Sequence, residues 1–137
     1  MAKKKVLILM GSESDRERME KAVPILKEAG VEAEVVVSSA HRDPERTAEL
    51  ARTAEEKGFG VVICGAGLSA ALPGVVAAHT KLPVIGVPLN AALGGLDALL
   101  SVAQMPPGVP VACVGIDNAK NAAHLALRML RLAGAVA

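Results

Sequence analysis

A histidine and an arginine stand side by side at His41 and Arg42, two residues before Pro44. A guanidinium offers a bidentate clamp to a phosphate or carboxylate. An imidazole is the natural proton carrier near neutral pH. Ser38 and Ser39 add hydroxyls. A plainer role is equally open, in which His41 only hydrogen-bonds loop backbone. A second candidate stretch is Gly11-Ser-Glu-Ser-Asp15, where Ser12 and Ser14 offer hydroxyls and the following helix aims free N–H groups at an anion. Asp15 is unexpected beside a phosphate; it either caps the helix or accepts hydrogen bonds from ribose hydroxyls. An ordinary N-cap at Ser14 or Asp15, with no ligand, fits as well. The third is Gly65-Ala-Gly-Leu-Ser-Ala-Ala-Leu-Pro-Gly74. Gly65, Gly67 and Ala70 superficially fit a dinucleotide fingerprint, but they follow the third apolar run, and no acidic residue ends the next one to hold a ribose. Small residues throughout this loop instead suit backbone packed closely on a flat ligand.

Other chemistries find no support. There is no Walker A sequence and no Asp/Glu cluster for magnesium. A receiver-type phospho-acceptor needs an aspartate ending the third strand, where Cys64 is expected. Cys64 as a nucleophile has no partner in the sequence. Cys64 and Cys113 lie in apolar runs without metal spacing and read as core residues of a reduced, cytoplasmic protein. Phe59 is the only aromatic residue among 137, which excludes base-stacking platforms for nucleic acids. The net charge of +1 gives no field to steer a polyanion. The apolar stretch after Lys3-Lys-Lys5 is only Val6 to Met10, too short for a signal peptide.

Charge is unevenly spread. Residues 1–57 carry 23 charged side chains, and Gly58 to Ile116 carry only Lys81 and Asp97. Pro73, Pro83, Pro88, Pro106, Pro107 and Pro110 interrupt that stretch, so no spanning helix of ~20 apolar residues fits. Burial on more than one side, by helices and by other copies of the chain, accounts for it better.

The elements that must position these loops alternate. Strands are expected at Val6–Met10, Val35–Val37, Val61–Cys64, Pro83–Val87 and Val109–Val114. Helices are expected over Met19 to Leu26 with Gly30 at the end, Pro44 to Lys57, Val75 to His79, Leu96 to Gln104 and Ala119 to Leu132. Five βα units predict one α/β domain over residues 1–137, a three-layer, doubly wound, parallel five-stranded sheet of flavodoxin-like type. Such sheets bind ligands beyond the carboxyl ends of their strands, where all three candidate loops fall. Phe59 is expected in a turn at the opposite end, leaving a pocket without aromatic residues.

Six runs in order complete the pattern: Gly11-Ser-Glu-Ser-Asp15; Ser39-Ala-His-Arg42 with Pro44; Gly65-Ala-Gly67 with Leu72-Pro-Gly74; Pro83-Val-Ile-Gly-Val-Pro88; Gly95-Leu-Asp-Ala-Leu-Leu-Ser101 with Gln104-Met-Pro106; and Asn118-Ala-Lys-Asn-Ala122. Over roughly Val6 to Leu132 the chain resembles the N5-carboxyaminoimidazole ribonucleotide mutase family of purine biosynthesis. The resemblance implies transfer of a carboxylate from the exocyclic nitrogen of an aminoimidazole ribonucleotide to ring carbon C4, without metal or cofactor. It implies His41 as general acid/base, Arg42 and Ser12 near the phosphate, and Asp15 at the ribose. Ser14, Ser39, Ala40, Gly65, Ala66, Gly67 and Leu72 complete the expected substrate site. It also implies a cytoplasmic homo-octamer with sites at subunit contacts, Gln104-Met-Pro106 closing over a neighbour's ligand, and no membrane or nucleic-acid partner. Ala71 stands where family mutases usually carry histidine. The related carboxylase class, which uses free CO2, has alanine there, but it tends to carry lysine in place of Arg42 and lacks the Gln-Met-Pro run. Alternatives are that carboxylase activity and a non-catalytic nucleotide-binding module.

Overall fold

The computed structural model describes residues 3–136. Five strands form one parallel sheet: β1 (Lys5–Met10), β2 (Ala33–Val37), β3 (Phe59–Ala66), β4 (Val84–Pro88) and β5 (Ala112–Cys113). Their spatial order is β2-β1-β3-β4-β5. Ile8 pairs with Val35 on one side and Ile63 on the other, and Ile63 with Ile85.

Side chains alternate across a pleated strand, and β1 uses both faces. Val6, Ile8 and Met10 join one buried cluster with Met19, Leu26 and the alanines of the last helix. Leu7 and Leu9 join the other with Ala51, Ala54, Val76, Ala98 and Val102. The helices α1 (Arg16–Met19), α2 (Ala22–Glu28) and α6 (Ala119–Leu132) therefore cover one face. The helices α3 (Pro44–Thr53), α4 (Leu72–His79) and α5 (Leu96–Ala103) cover the other. This is the doubly wound α/β architecture expected from the sequence.

Several boundaries differ from expectation for local reasons. The single helix expected over Met19 to Leu26 is two. Pro24 has no N–H to donate to the Glu20 carbonyl, and its ring crowds that position, so the chain breaks at Glu20–Lys21. The α3 helix stops at Thr53, not Lys57, and turns lead into β3. Phe59 opens β3 and is buried, with the Lys5 ammonium 4.5 Å from its ring centroid, so it is not in a turn. β3 runs on past Cys64 to Ala66. β5 is only two residues long; Pro110 cannot donate to a ladder, and the strand pairs with β4 alone. α6 matches its expected span, with the Asn118 side chain accepting from the Asn121 N–H at 3.0 Å.

Glycine permits the closest packing in the uncharged half. A Cβ on Gly86 of β4 would stand 2.3 Å from Val102 Cγ1 and 3.1 Å from Val111 Cγ1, both on stiff branched side chains. Gly86→Ala should therefore cost about 1–3 kcal/mol by overpacking. The expected outcome is a lower urea midpoint at unchanged slope; an unchanged midpoint would contradict this packing.

Candidate active site

The strand order reverses direction about β1 and β3, and a crevice opens there at the carboxyl ends of the strands. It has a volume of about 360 Å³ and is lined by residues following β1, β2, β3 and β4, within the usual range of small-ligand sites.

After β1, Ser12 is extended and its Oγ accepts from the Ser14 N–H at 3.3 Å; the two hydroxyl oxygens are 2.9 Å apart. The N-cap is thus Ser12, neither Ser14 nor Asp15 as expected. The helix after it, α1, is one turn. Both hydroxyls and Gly11 border the crevice. Asp15 does not cap. Its side chain is 12% exposed, borders the crevice, and accepts from Arg18 Nη2 at 3.0 Å.

After β2, the loop is held from below. Ser38 and Thr47 hydroxyls meet at 2.7 Å in the interior, and Thr47 Oγ1 donates to the Asp43 carbonyl at 3.0 Å. Ser39 Oγ accepts from the Arg42 N–H at 3.1 Å, Asp43 caps α3 through the Arg46 N–H, and Arg46 Nη1 reaches the Val37 carbonyl at 2.7 Å. These bonds fix the loop backbone and leave the His41 ring and the Arg42 guanidinium exposed on the crevice rim, with no side-chain hydrogen bond to the described residues. The plainer role for His41, bonding to loop backbone, therefore has no counterpart here.

After β3, Ala66, Gly67, Leu68, Ala71 and Leu72 form the far wall with Ala91 from beyond β4. A Cβ on Gly67 would stand 2.9 Å from the Ala91 Cβ, so glycine is what lets the two loops close on each other. Gly65 is not part of this wall: a Cβ there would meet Met19 Sδ at 2.3 Å, on the opposite face of β3. The structure thus brings together Ser12, Ser14, Asp15, Ser39, Ala40, His41, Arg42, Ala66, Gly67 and Leu72, leaves out Gly65, and adds Gly11, Leu68, Ala71 and Ala91. No lining residue is aromatic. Within one chain, Met105 of the Gln104-Met-Pro106 run packs against Gly74 of α4 and borders the neighbouring depression that also contains Ala71, Val75 and His79. The His79 ring is occupied, its Nδ1 lying 2.8 Å from the Val75 carbonyl.

Sequence reasoning missed Arg18. It lies near Asp15 in sequence, but it also bonds Asp117 Oδ1 and the Asn90 carbonyl, contacts that no local motif announces. Among the described residues, no group of three or more His, Cys, Asp or Glu is placed to hold a metal ion.

Hydroxyls, a buried carboxylate, an imidazole and a guanidinium thus converge on one switch-point crevice of a doubly wound α/β protein. The chain belongs to the AIR carboxylase family, whose description its residues 5–136 match. It is 60% identical over 129 residues to the N5-carboxyaminoimidazole ribonucleotide mutase of Pyrococcus abyssi, covering 93% of this chain and 74% of that protein. It is 53% identical over 124 residues to the phosphoribosylaminoimidazole carboxylase of Schizosaccharomyces pombe, covering 90% of this chain and 22% of that one. The crystal structure of Treponema denticola PurE superposes with a TM-score of 0.82 at 34% identity, over 95% of this chain and 82% of the other.

Cys64 is fully buried, and burial pushes its thiol far above the usual range; partial burial also raises that of Cys113. Raised thiols remain protonated and poorly nucleophilic at neutral pH. At pH 8, iodoacetamide should label Cys64 only after denaturation, and Cys113 slowly. Rapid labelling of Cys64 in the folded protein would restore it as a candidate nucleophile.

Proposed function

We propose that this protein is an isomerase that converts N5-carboxyaminoimidazole ribonucleotide to 4-carboxy-5-aminoimidazole ribonucleotide in purine biosynthesis. The observation that carries this most is the high identity to proteins named for that reaction, over nearly the whole chain. The crevice supplies parts of the right kind for it. Arg42, Ser12, Ser14 and Ser39 receive the phosphate, Asp15 accepts from the ribose hydroxyls, and the small residues from Ala66 to Leu72 face the imidazole.

The reaction needs two proton movements and no net change in composition. As the carbamate C–N bond breaks and releases CO2, His41 delivers a proton to the exocyclic nitrogen. Ring carbon C4 then attacks the retained CO2, and the same imidazole removes the C4 proton, restoring aromaticity and its own starting state. Holding CO2 for the second step needs a small, water-poor cavity, which alanine and glycine walls suit. No step calls for a metal or cofactor.

Association of several copies, as an octamer, fits the exposed Leu93 (78%) and Leu68 (66%), with Leu96 and Leu100 exposed on α5. Unpaired cysteines agree with a cytoplasmic location. No helix among the described residues is long and apolar enough to cross a membrane.

A second reading, a carboxylase that takes free CO2, is favoured by Ala71, which borders both the crevice and the depression beside it. The purified protein should turn over the carbamate ribonucleotide and not aminoimidazole ribonucleotide with bicarbonate; the reverse preference selects the carboxylase, and inactivity on both overturns the two enzyme readings. His41→Asn should lower kcat by about 10²-fold or more while substrate still binds, and unchanged turnover refutes the proton role. Arg42→Ala should weaken binding of the nucleotide about tenfold or more and of its nucleoside much less, on the strength of a charge-assisted bond; equal losses refute the phosphate contact.

A further inference from the structure

Arg18 joins three separate strand-end segments. Its Nη2 donates to Asp15 Oδ1 at 3.0 Å, beside the crevice. Its Nη1 donates to Asp117 Oδ1 at 3.0 Å, from the segment after β5, and to the Asn90 carbonyl at 3.1 Å, from the segment after β4. The far side of the network is itself fixed. Asp117 Oδ1 also accepts from the Asn90 N–H at 2.9 Å, and the Asp117 N–H donates to the Pro88 carbonyl at 2.8 Å. Asp117 adopts φ +60°, a left-handed conformation more accessible to aspartate than to most residues. Asn90 adjoins Ala91, which packs against Gly67 in the far wall of the crevice.

A buried carboxylate beside a site for an anion has two difficulties: it can rotate, and it repels the ligand. The fork of Arg18 answers both. Oδ1 of Asp15 is committed to the guanidinium, which sets the rotamer and leaves Oδ2 as the acceptor for the ligand. The cation also offsets the negative charge that Asp15 brings to the crevice. A lysine at this position has one ammonium and could not hold both carboxylates with the same planar geometry.

We propose that Arg18 is a positioning residue for substrate binding: braced on Asp117 and Asn90, it presents Asp15 to the ribose hydroxyls of the nucleotide and ties that contact to the Ala91 wall. The proposal rests on the function given above, in which Asp15 meets the ribose. It places part of the substrate affinity in residues that touch no substrate.

The test is a double-variant cycle on the full-length protein, with KM, kcat and thermal midpoint read for each. Arg18→Met keeps the stem and removes the fork; it should raise KM about tenfold or more and change kcat less than threefold, the pattern of lost uniform binding. Arg18→Lys should fall between Arg18→Met and the unaltered protein. In an Asp15→Asn background, Arg18→Met should raise KM no further. A brace serving only stability would lower the thermal midpoint and leave KM unchanged, or would add its effect on KM in full to that of Asp15→Asn; either result overturns the proposal. Should Arg18→Met fail to fold, Asp117→Asn, which keeps the Asn90 bond and removes the charge, must raise KM in the same non-additive way, and an unchanged KM overturns it. If the unaltered protein turns over neither substrate, the function reading falls and this proposal with it. Turnover by the unaltered protein with no KM effect at Arg18 overturns the proposal alone.

Discussion

The pairing of β1 between β2 and β3 is the constraint on which the rest depends. With Ile8 flanked by Val35 and Ile63, the strand is buried on both faces and needs helices on both. The connection out of β1 leads to β2 on one side, and the next leads back past β1 to β3 on the other. The loops after β1 and β3 therefore diverge, and a crevice between them is unavoidable. Every proposed substrate contact hangs on that opening. Ser12 to Asp15 leave β1, Ser39 to Arg42 leave β2, and Ala66 to Leu72 leave β3. A one-residue slip of β1 would exchange its two sets of side chains between layers, which both cores resist.

The uneven charge has the same origin. β3 and β4 are central strands with hardly an exposed side chain, so neither face can carry charge. The helices α4 and α5 that follow them are themselves largely apolar, and α5 and the adjoining loops leave leucines exposed. The crevice walls come from this half and are made of alanine, glycine and leucine. The charged half supplies the ionisable groups of the crevice, Asp15, His41 and Arg42, and the Arg18 that holds Asp15. One side of the site is thus chemical and the other a smooth apolar wall, a division suited to holding a flat ring while a proton is moved on it.

Much of this was legible in the sequence because it is local. The apolar period of Ala122, Leu125, Ala126 and Met129 marks α6, and Pro44 marks the start of α3. The loops with His41, Arg42 and Asp15 could be assigned to one edge because each follows an apolar run. What escaped is what depends on contacts across the fold. Gly65 has the look of a ligand-facing glycine, yet it is small to admit Met19. β5 reads as six residues of strand, yet only two find a ladder partner at the sheet edge. Arg18 pairs with Asp117, 99 residues away, and nothing near either residue points to the other. Asp15 has the composition of a cap, but the turn is capped by Ser12, and the carboxylate is turned to Arg18 instead.

The central claim is that one crevice both releases CO2 and recaptures it before it escapes. It is tested most directly with the carbamate ribonucleotide labelled with carbon-13 at its carboxylate, converted in buffer holding excess unlabelled bicarbonate and carbonic anhydrase. Retention of nearly all the label at C4 of the product is the predicted result. Loss of the label to the level of the bulk pool would contradict the account and show that carbon dioxide enters this site from solution.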